Sequence, residues 1–543
     1  MPEERSSISQ LVKDIYPFSD LDEENLQIAL PYLERVRIPA GTTIFTTDGS
    51  ADYFYFILSG KVDIEISYKE QFELLQRLEP YDHFGEDALA GHTYHTRAIA
   101  KTNCYLIRMS RMGIERVCDE SSIIKRIFRI FSRTYKNYCR LNFSWRQPGE
   151  TYYIVSRHHP FFLIMRLVPI LLISMAIFAW FLYKAFLAAK HPMIWLVLAL
   201  MVLLIGLMGE IWELLGWLNE YFILTKDRVL MQKLVIGLFE SRQETPMNAV
   251  LSSELTSSFF GRLIGYGIVT AKAYTGNMQI KRIPDPDLMS SYLEYRRRCI
   301  LSEQNRKEKE AMHTMLNSRL HPERTNPVPV PAEPELPAKV NYYTGSFSDI
   351  LARFFSLRQE KEGAVIYHTH WWILVKKLFL PSLLLLLVLL AAFGRFFGLI
   401  TAPSTQVYIA CIVLAIVGWA WWLYQFSDWR NDVYIISKDQ LVDLNQRPLG
   451  TEDRRTAPIK NIQTVEYVRN GIIGMALNFG TVKIKIGTEE LTFDNVYNPS
   501  AVQIEIFNRF HEITENSHKM EQRRMTEWFS TYDGMREGNE NRH

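Results

Sequence analysis

The sequence predicts a multidomain α+β membrane protein: a small β domain followed by two copies of one helical-plus-β unit. Three observations predict it. Four charge-free apolar runs are long enough to cross hydrocarbon: Leu167–Tyr183, Met193–Gly209 and Leu378–Gly394 hold 17 residues each, and Val407–Phe426 holds 20. Short segments of alternating polarity, bounded by turn residues, occupy much of the remainder. The stretch from His158 to Arg282 is also written twice. At an offset of 212, His158 falls on His370, Pro169 on Pro381, Trp217 on Trp429 and Pro246 on Pro458. After one inserted residue the offset is 213, and Gly261-x5-Gly267-x-Val269 falls on Gly474-x5-Gly480-x-Val482. That period is far too long for a solenoid repeat, so the pattern is an internal duplication.

Composition narrows the function classes. A net charge of +2 over 543 residues argues against nucleic acid as a partner of the whole chain. The five cysteines are scattered and never spaced as CxxC, which suits a reducing compartment and offers neither a disulfide framework nor a zinc site. Met1-Pro2-Glu3-Glu4-Arg5 leads into a polar stretch, so no signal peptide is expected.

Residues 1–118 read as a helical start followed by short strands. Turns recur at Pro39-Ala40-Gly41, Asp48-Gly49, Ser59-Gly60 and Phe84-Gly85, with strand-like runs such as Phe54–Leu58 and Val62–Ile66 between them. That spacing predicts a barrel or jelly roll. Pro39-Ala40-Gly41-x2-Ile44-Phe45, then Gly49-x2-Asp52-x2-Tyr55-x-Ile57-x-Ser59-Gly60-x-Val62, then Phe84-Gly85-Glu86-x2-Leu89 and Arg97 resemble the cyclic-nucleotide-binding domain family. The resemblance implies a jelly-roll sensor over residues 1–148 with its C-terminal helix, and a cyclic nucleotide as ligand. The site it implies is Phe84, Gly85, Glu86, Leu89, Arg97 and Ala98. Arg97 would hold the cyclic phosphate as a bidentate partner, and Glu86 would accept from the ribose 2′-hydroxyl. Ala98 supplies no hydroxyl for a guanine amino group, which leans toward cAMP over cGMP. Three departures stand out: Tyr81 replaces the glycine usual before Asp82, Ile99 replaces a small residue, and the Glu86-to-Arg97 interval is one or two residues longer than the family pattern.

Ser121 to Trp145 carries Ile124, Ile127, Phe128, Phe131, Tyr135 and Tyr138 at helical spacing. Residues 121–160 hold eight Lys/Arg against Glu150 alone. The bland reading is a closing helix with a solvated basic face; the sharper one adds attraction to anionic lipid. With the apolar runs paired by short connectors, the chain reads as hairpins over 158–218 and 363–427. The basic flank puts the N-terminus, and with it residues 1–160, 219–375 and 428–543, on the cytoplasmic side of the plasma membrane. Glu210 and Glu213 lie on one helix face near that side; an interfacial role is favoured over an ion path. His158, His159, His368 and His370 are read as interfacial side chains rather than metal ligands, and no metal is expected.

Each hairpin is followed by a strand-rich module and a helix: 219–299 closed by Asp287–Arg298, and 428–515 closed by Ser500–Glu515. Trp217-x3-Tyr221-x3-Thr225-x2-Arg228, Thr245-Pro246 and Arg262-x2-Gly265-Tyr266-Gly267-x-Val269 resemble the bacterial PH-like domains found behind paired membrane helices. The second copy departs at Gln440 for Arg228 and at Asn478 for Gly265. Gly265-Tyr266-Gly267 also echoes a potassium-filter tripeptide, but a filter sits between spans behind a pore helix, so it is read as a turn into a strand. Residues 300–362 read as a charged, Pro-rich linker in which Gln304–Glu310 is expected to be helical and Pro327–Pro337 holds five prolines, and 516–543 as a polar tail.

No G-x-S-x-G, P-loop or H-E-x-x-H appears, so catalysis is not expected. The leading reading is a regulatory protein that binds a cyclic nucleotide and relays this through the PH-like modules to the bilayer or a protein partner. The alternative is a membrane scaffold whose sensor fold has lost its ligand. A transport role rests only on Glu210, Glu213 and the duplication. Oligomeric state, including a homo-oligomer, stays open.

Overall fold

The computed structural model describes residues 8–68, 71–91, 93–140, 149–187, 191–235, 237–273, 277–320, 355, 357–361, 363–397, 403–446, 448, 452–487, 489–514 and 517. The Pro327–Pro337 segment and the tail after Asn516, apart from Ser517, lie outside them. The chain divides into two compact units, one formed chiefly by Met1–Ile236 and Glu244–Glu310, the other chiefly by Gly237–Gln243 and Lys339–His543.

After a short helical segment over 8–12, the first unit has α1 (Glu23–Ala29), capped by Asp22, whose carboxylate accepts from the Asn25 N–H at 3.1 Å. Eight strands follow: β1 (Leu33–Ile38), β2 (Thr43–Phe45), β3 (Tyr53–Ser59), β4 (Val62–Tyr68), β5 (Gln71–Leu78), β6 (His83–Phe84), β7 (Arg97–Ala100) and β8 (Cys104–Ser110). They form two four-stranded sheets, ordered β1-β8-β3-β6 and β2-β7-β4-β5: of the barrel or jelly roll that the turn spacing allowed, the described residues form the two-sheet sandwich and not a closed barrel. Its interior is aromatic: Phe54, Phe56 and Phe84 are buried, and Phe54 meets Phe56 edge to face with centroids 4.9 Å apart. Between β6 and β7 lies the single turn α2 (Asp87–Ala90); α3 (Arg111–Glu120) and α4 (Ser122–Arg140) complete the domain.

The next element was not legible in the sequence. Tyr152–Ser156 forms β9, which pairs antiparallel with β10 (Glu220–Thr225), Ile223 lying opposite Val155. The basic segment ahead of the first hairpin therefore ends as a strand of the module that follows the hairpin. In the second unit β17 (Ala364–His368) pairs with β18 (Asp432–Ile436) in the same way. Tyr152–Ser156 and Ala364–His368 stand 212 apart, so the shared element order begins before His158.

The apolar runs are helices α5 (Pro160–Leu187), α6 (Pro192–Leu218), α9 (Trp371–Phe396) and α10 (Ser404–Asn431). All four are long and apolar enough to cross a membrane, and no more than 11% of any apolar window is buried. The duplicated landmarks explain themselves at the base of each hairpin. The Trp217 indole donates to the His158 carbonyl at 3.0 Å, and that of Trp429 to the Thr369 carbonyl at 2.9 Å. A histidine ring nitrogen caps each leading helix: His159 Nδ1 accepts from the Phe161 N–H and His370 Nδ1 from the Trp372 N–H, both at 3.2 Å. Burial lowers the His370 pKa to about 3, which keeps the ring neutral with a lone pair to accept that bond. An ion pair clasps each hairpin, Arg166 with Glu213 at 3.3 Å and Lys377 with Asp428 at 2.6 Å. Glu213 is thus engaged by a cation of the neighbouring helix.

The first module continues with β11 (Arg228–Val235), β12 (Phe239–Pro246), β13 (Ser252–Thr256), the short α7 (Phe259–Ile264), β14 (Tyr266–Lys272) and β15 (Asn277–Pro284). The second unit has β16 (Arg358–Lys361), β19 (Gln440–Gln446), β20 (Glu452–Pro458), β21 (Ile462–Asn470), α11 (Gly471–Ala476), β22 (Phe479–Ile486) and β23 (Glu489–Tyr497), closed by a helix over 499–514. Gly265 ends α7 at φ +90°, and Asn478, at the equivalent place, holds φ +56°, which asparagine tolerates better than most residues. The helix expected over Asp287–Arg298 is α8 and runs from Pro286 to Leu320. The helix expected over Gln304–Glu310 is thus continuous with the one expected over Asp287–Arg298: no proline interrupts α8 before Pro322, and pairs such as Arg306–Glu310 at 3.5 Å support it.

Within the first unit one core joins the sandwich to the first module. Ile127, Phe128 and Phe131 of α4 belong to the same buried cluster as Phe54, Phe222, Met289 and Tyr292. Glu79 adds a charged clamp there, bonded by Lys226 and by Lys61 at 2.9 Å. Burial pushes the Glu79 carboxyl up, but the two ammonium groups outweigh it and hold its pKa at about 2. A depressed folded-state pKa means its contribution is complete above the ordinary carboxylate range and is lost as pH falls toward 2. Glu79→Gln is expected to flatten the acid limb of the midpoint-versus-pH curve between pH 5 and pH 2, measured by thermal unfolding beside the parent. Parallel curves would remove the clamp from the stability balance.

Candidate functional site

The expected site residues gather around one turn and one strand. Phe84 ends β6, buried and stacked on Tyr55 with centroids 4.9 Å apart. Gly85 follows at φ +86°, where a Cβ would lie 2.9 Å from the Tyr53 carbonyl oxygen, so the turn needs glycine twice over. Tyr81, at the position where the resemblance expects glycine, holds φ +74°, so the left-handed backbone persists without the residue that suits it. Glu86 and Leu89 start and fill the single turn α2; the Ala88 and Leu89 N–H groups donate to the Gly85 and Glu86 carbonyls, each at 3.0 Å. Ala98 is buried in β7 opposite Ile64, and Arg97 stands opposite Glu65.

That register sets the electrostatics. Arg97 Nε donates to Glu65 Oε2 at 2.9 Å, an Nη bonds the same oxygen, and the guanidinium lies 3.7 Å from the Phe72 ring centroid. The pair keeps some solvent contact, with Arg97 at 28% and Glu65 at 21% side-chain exposure. Asp82 and Asp87, the aspartates on either side of the turn, serve other groups. Asp87 accepts from the Tyr135 hydroxyl at 2.8 Å, from the His95 N–H at 2.9 Å, and lies 2.7 Å from His95 Nδ1. Glu86 lies 2.9 Å from His83 Nδ1. The structure therefore brings Phe84, Gly85, Glu86 and Leu89 together on the turn and sets Arg97 and Ala98 on the strand. Arg97 and Glu86 each face a separate protein partner.

Asp82, at the head of the turn, has a connection that sequence reasoning missed. It accepts from Arg296 at 3.1 Å and from the Tyr153 hydroxyl at 3.0 Å, and Arg296 stacks 3.6 Å from the Tyr153 ring centroid. All three are buried. Arg296 belongs to α8 and Tyr153 to β9, so the helix that closes the first module holds the aspartate two residues before Phe84. Glu65, Phe72 and Arg296 are all brought in by pairings far apart in the chain, and no local signal marks them.

Residues 35–121 match the model of the Cyclic nucleotide-binding domain, and residues 382–510 that of the Bacterial PH domain. Solved structures similar to part of the chain include the regulatory domain of Toxoplasma gondii PKA with cAMP (17% identity, 21% of this chain, 44% of that one, TM-score 0.20). Another is the sensor domain of the transcriptional regulator DNR from Pseudomonas aeruginosa (21% identity, 26% of this chain, 97% of that one, TM-score 0.23). A third is the regulatory subunit of a cAMP-independent protein kinase A from Trypanosoma brucei (22% identity, 24% of this chain, 50% of that one, TM-score 0.21). The match spans half or less of the length of the Toxoplasma gondii and Trypanosoma brucei proteins. It carries an N-terminal cyclic nucleotide-binding domain and, toward its other end, a bacterial PH domain.

Proposed function

We propose that this protein is a membrane-anchored, non-catalytic sensor. Its N-terminal domain takes a cyclic nucleotide, with Arg97 on the phosphate, Glu86 on the ribose and a lean toward cAMP from Ala98. Four helices span the cytoplasmic membrane as two hairpins and keep every domain on the cytoplasmic side. Both β modules are PH-like copies of one duplicated unit and relay the bound state to the bilayer or to a protein partner.

The observation that carries the reading is the Arg97–Glu65 pair. A part-exposed ion pair contributes about 0–1 kcal/mol, whereas a bidentate phosphate contact in a drier site is worth more. A cyclic phosphate can therefore take Arg97 from Glu65, and the resting pair shields the guanidinium until it does. The buried Asp82–Arg296–Tyr153 cluster supports the relay, because rearrangement of the Phe84–Glu86 turn would act directly on α8. The scaffold alternative draws on the same contacts: Arg97 and Glu86 are both satisfied internally.

Hydrogen exchange of the full chain with and without cAMP or cGMP tests both halves. Added protection over residues 84–98 is expected on binding, with an altered exchange rate over 288–299 for the relay. A change at 84–98 alone would remove the relay and keep the sensor. No change at either segment with either nucleotide would leave the scaffold.

A further inference from the structure

Two short helices, one in each β module, leave their largest apolar side chains uncovered. In α7, Ser258 caps the start by accepting from the Gly261 N–H at 3.0 Å and Gly265 closes the end, yet Phe259, Phe260 and Leu263 are 69%, 63% and 75% exposed. In α11, Ile472 and Ile473 are 69% and 46% exposed. The Gly471 N–H donates to the Leu238 carbonyl at 2.8 Å, which brings the exposed Leu238 beside them.

Position says what covers them. α7 runs directly into Tyr266, whose ring lies 4.7 Å from that of Phe162 and 6.0 Å from that of Phe161, both in the first turn of the apolar helix α5. Arg282 sits 4.8 Å from the Phe162 ring centroid. In the second unit Phe479, at the start of the strand after α11, stacks 4.7 Å from His370, the cap of α9. Each short helix thus leads into a residue packed on the start of an apolar helix, where that helix leaves its β module.

We propose that α7 and α11 are shallow feet that dip into the headgroup–acyl boundary of the bilayer crossed by the hairpins. The inference rests on the spanning reading. Two observations favour lipid over a protein partner. The two helices retain apolarity but not shape, Phe259-Phe260-x2-Leu263 in one and Ile472-Ile473 in the other, which suits a fluid occupant with no fixed relief. The exposed Arg262 beside Leu263 can hold its guanidinium at phosphate level while its stem lies along the apolar side chains.

The test uses the full chain in phospholipid nanodiscs, with its five cysteines replaced by alanine and one environment-sensitive fluorophore placed in turn at L263C, I472C, I173C or M112C. Ile173 is an exposed span residue and Met112 an exposed residue of the β-sandwich domain. Lipids carrying a nitroxide near the headgroup report contact at the depth of about 5–10 Å expected of an interfacial helix. The labels at 263 and 472 are expected to be quenched at least about twofold more than the label at 112, and more by shallow than by deep nitroxide. If the label at 173 is quenched by deep nitroxide while those at 263 and 472 match 112, the feet are overturned and the spans stand. If the label at 173 also matches 112, the spanning reading falls and takes the feet with it.

Discussion

Replacing Arg228 with alanine is expected to lower the unfolding midpoint of the first unit by roughly 10 °C, the equivalent of about 3–5 kcal/mol. Arg228 is the centre of a triad that water does not reach. Its Nε and Nη2 donate to Glu150 at 3.0 and 2.8 Å, and its Nη1 to Glu244 at 2.8 Å, with all three side chains no more than 1% exposed. Burial pushes the Glu150 carboxyl up, but the charge and hydrogen bonds of Arg228 hold it below its usual value. Without the cation, two carboxylates are left in a dry interior, where charge is far more costly than in water. Freed of the cation that holds its pKa down, Glu150 is left with burial, its largest influence, which pushes it up, so the variant is expected to recover stability as pH falls from 8 to 5 while the parent does not. Two further variants separate charge from packing. Glu244→Gln keeps one full ion pair and should cost less, and a triple replacement by Leu, Met and Leu should be near neutral, as buried ion pairs often are when exchanged whole. A midpoint for Arg228→Ala within a degree of the parent would mean that water reaches the triad in solution.

The same triad shows what the sequence conceals. Thr225-x2-Arg228 was visible as part of a module pattern, but Glu150 lies ahead of the hairpin and only β9, folded back beside β10, carries the chain next to it. At the 212-residue offset Gln440 stands at the position of Arg228 and Thr456 at that of Glu244, so the second module has no counterpart of the arginine. Landmarks that recur at one offset were legible as landmarks without their contacts: Trp217 and Trp429 were marked by repetition alone, each indole reaching a carbonyl 59 or 60 residues back, whereas Asn478 in place of Gly265 is a local matter of φ. The Phe84-Gly85-Glu86 turn was legible for the same reason, since glycine and close backbone approach are properties of a few adjacent residues. Glu65 opposite Arg97, Arg296 on Asp82 and the core shared by α4 and α8 are pairings between segments about 30 to 210 residues apart, and periodicity carries no information about them. Gln304–Glu310 was legible as helix from its charged composition, but its continuity with Asp287–Arg298 was not, because no single local signal says that two helical stretches join; helical propensity with i,i+4 pairing carries α8 through both.

Arg97→Ala is expected to abolish cyclic nucleotide binding at micromolar ligand, since losing a desolvated bidentate charge contact costs on the order of 2–5 kcal/mol. The more discriminating variant is at its resting partner. In the structure Arg97 is committed to Glu65 and Phe72, so a phosphate must displace a carboxylate before it can bind. Removing that competitor with Glu65→Gln should tighten binding by up to roughly fivefold, matching the 0–1 kcal/mol of a part-exposed pair. Calorimetry of the full chain with cAMP and cGMP measures both, and the full chain is needed because Ile127, Phe128 and Phe131 would lose their packing against Met289 and Tyr292 in a fragment cut after α4. The two variants should move in opposite directions, an outcome that general destabilisation cannot produce. If Glu65→Gln weakens binding instead, Glu65 orients the guanidinium toward the ligand and is not its rival. If parent and Glu65→Gln both give no heat with either nucleotide, the Arg97–Glu65 pair is a permanent internal bond, and the domain keeps the fold of a sensor without its ligand.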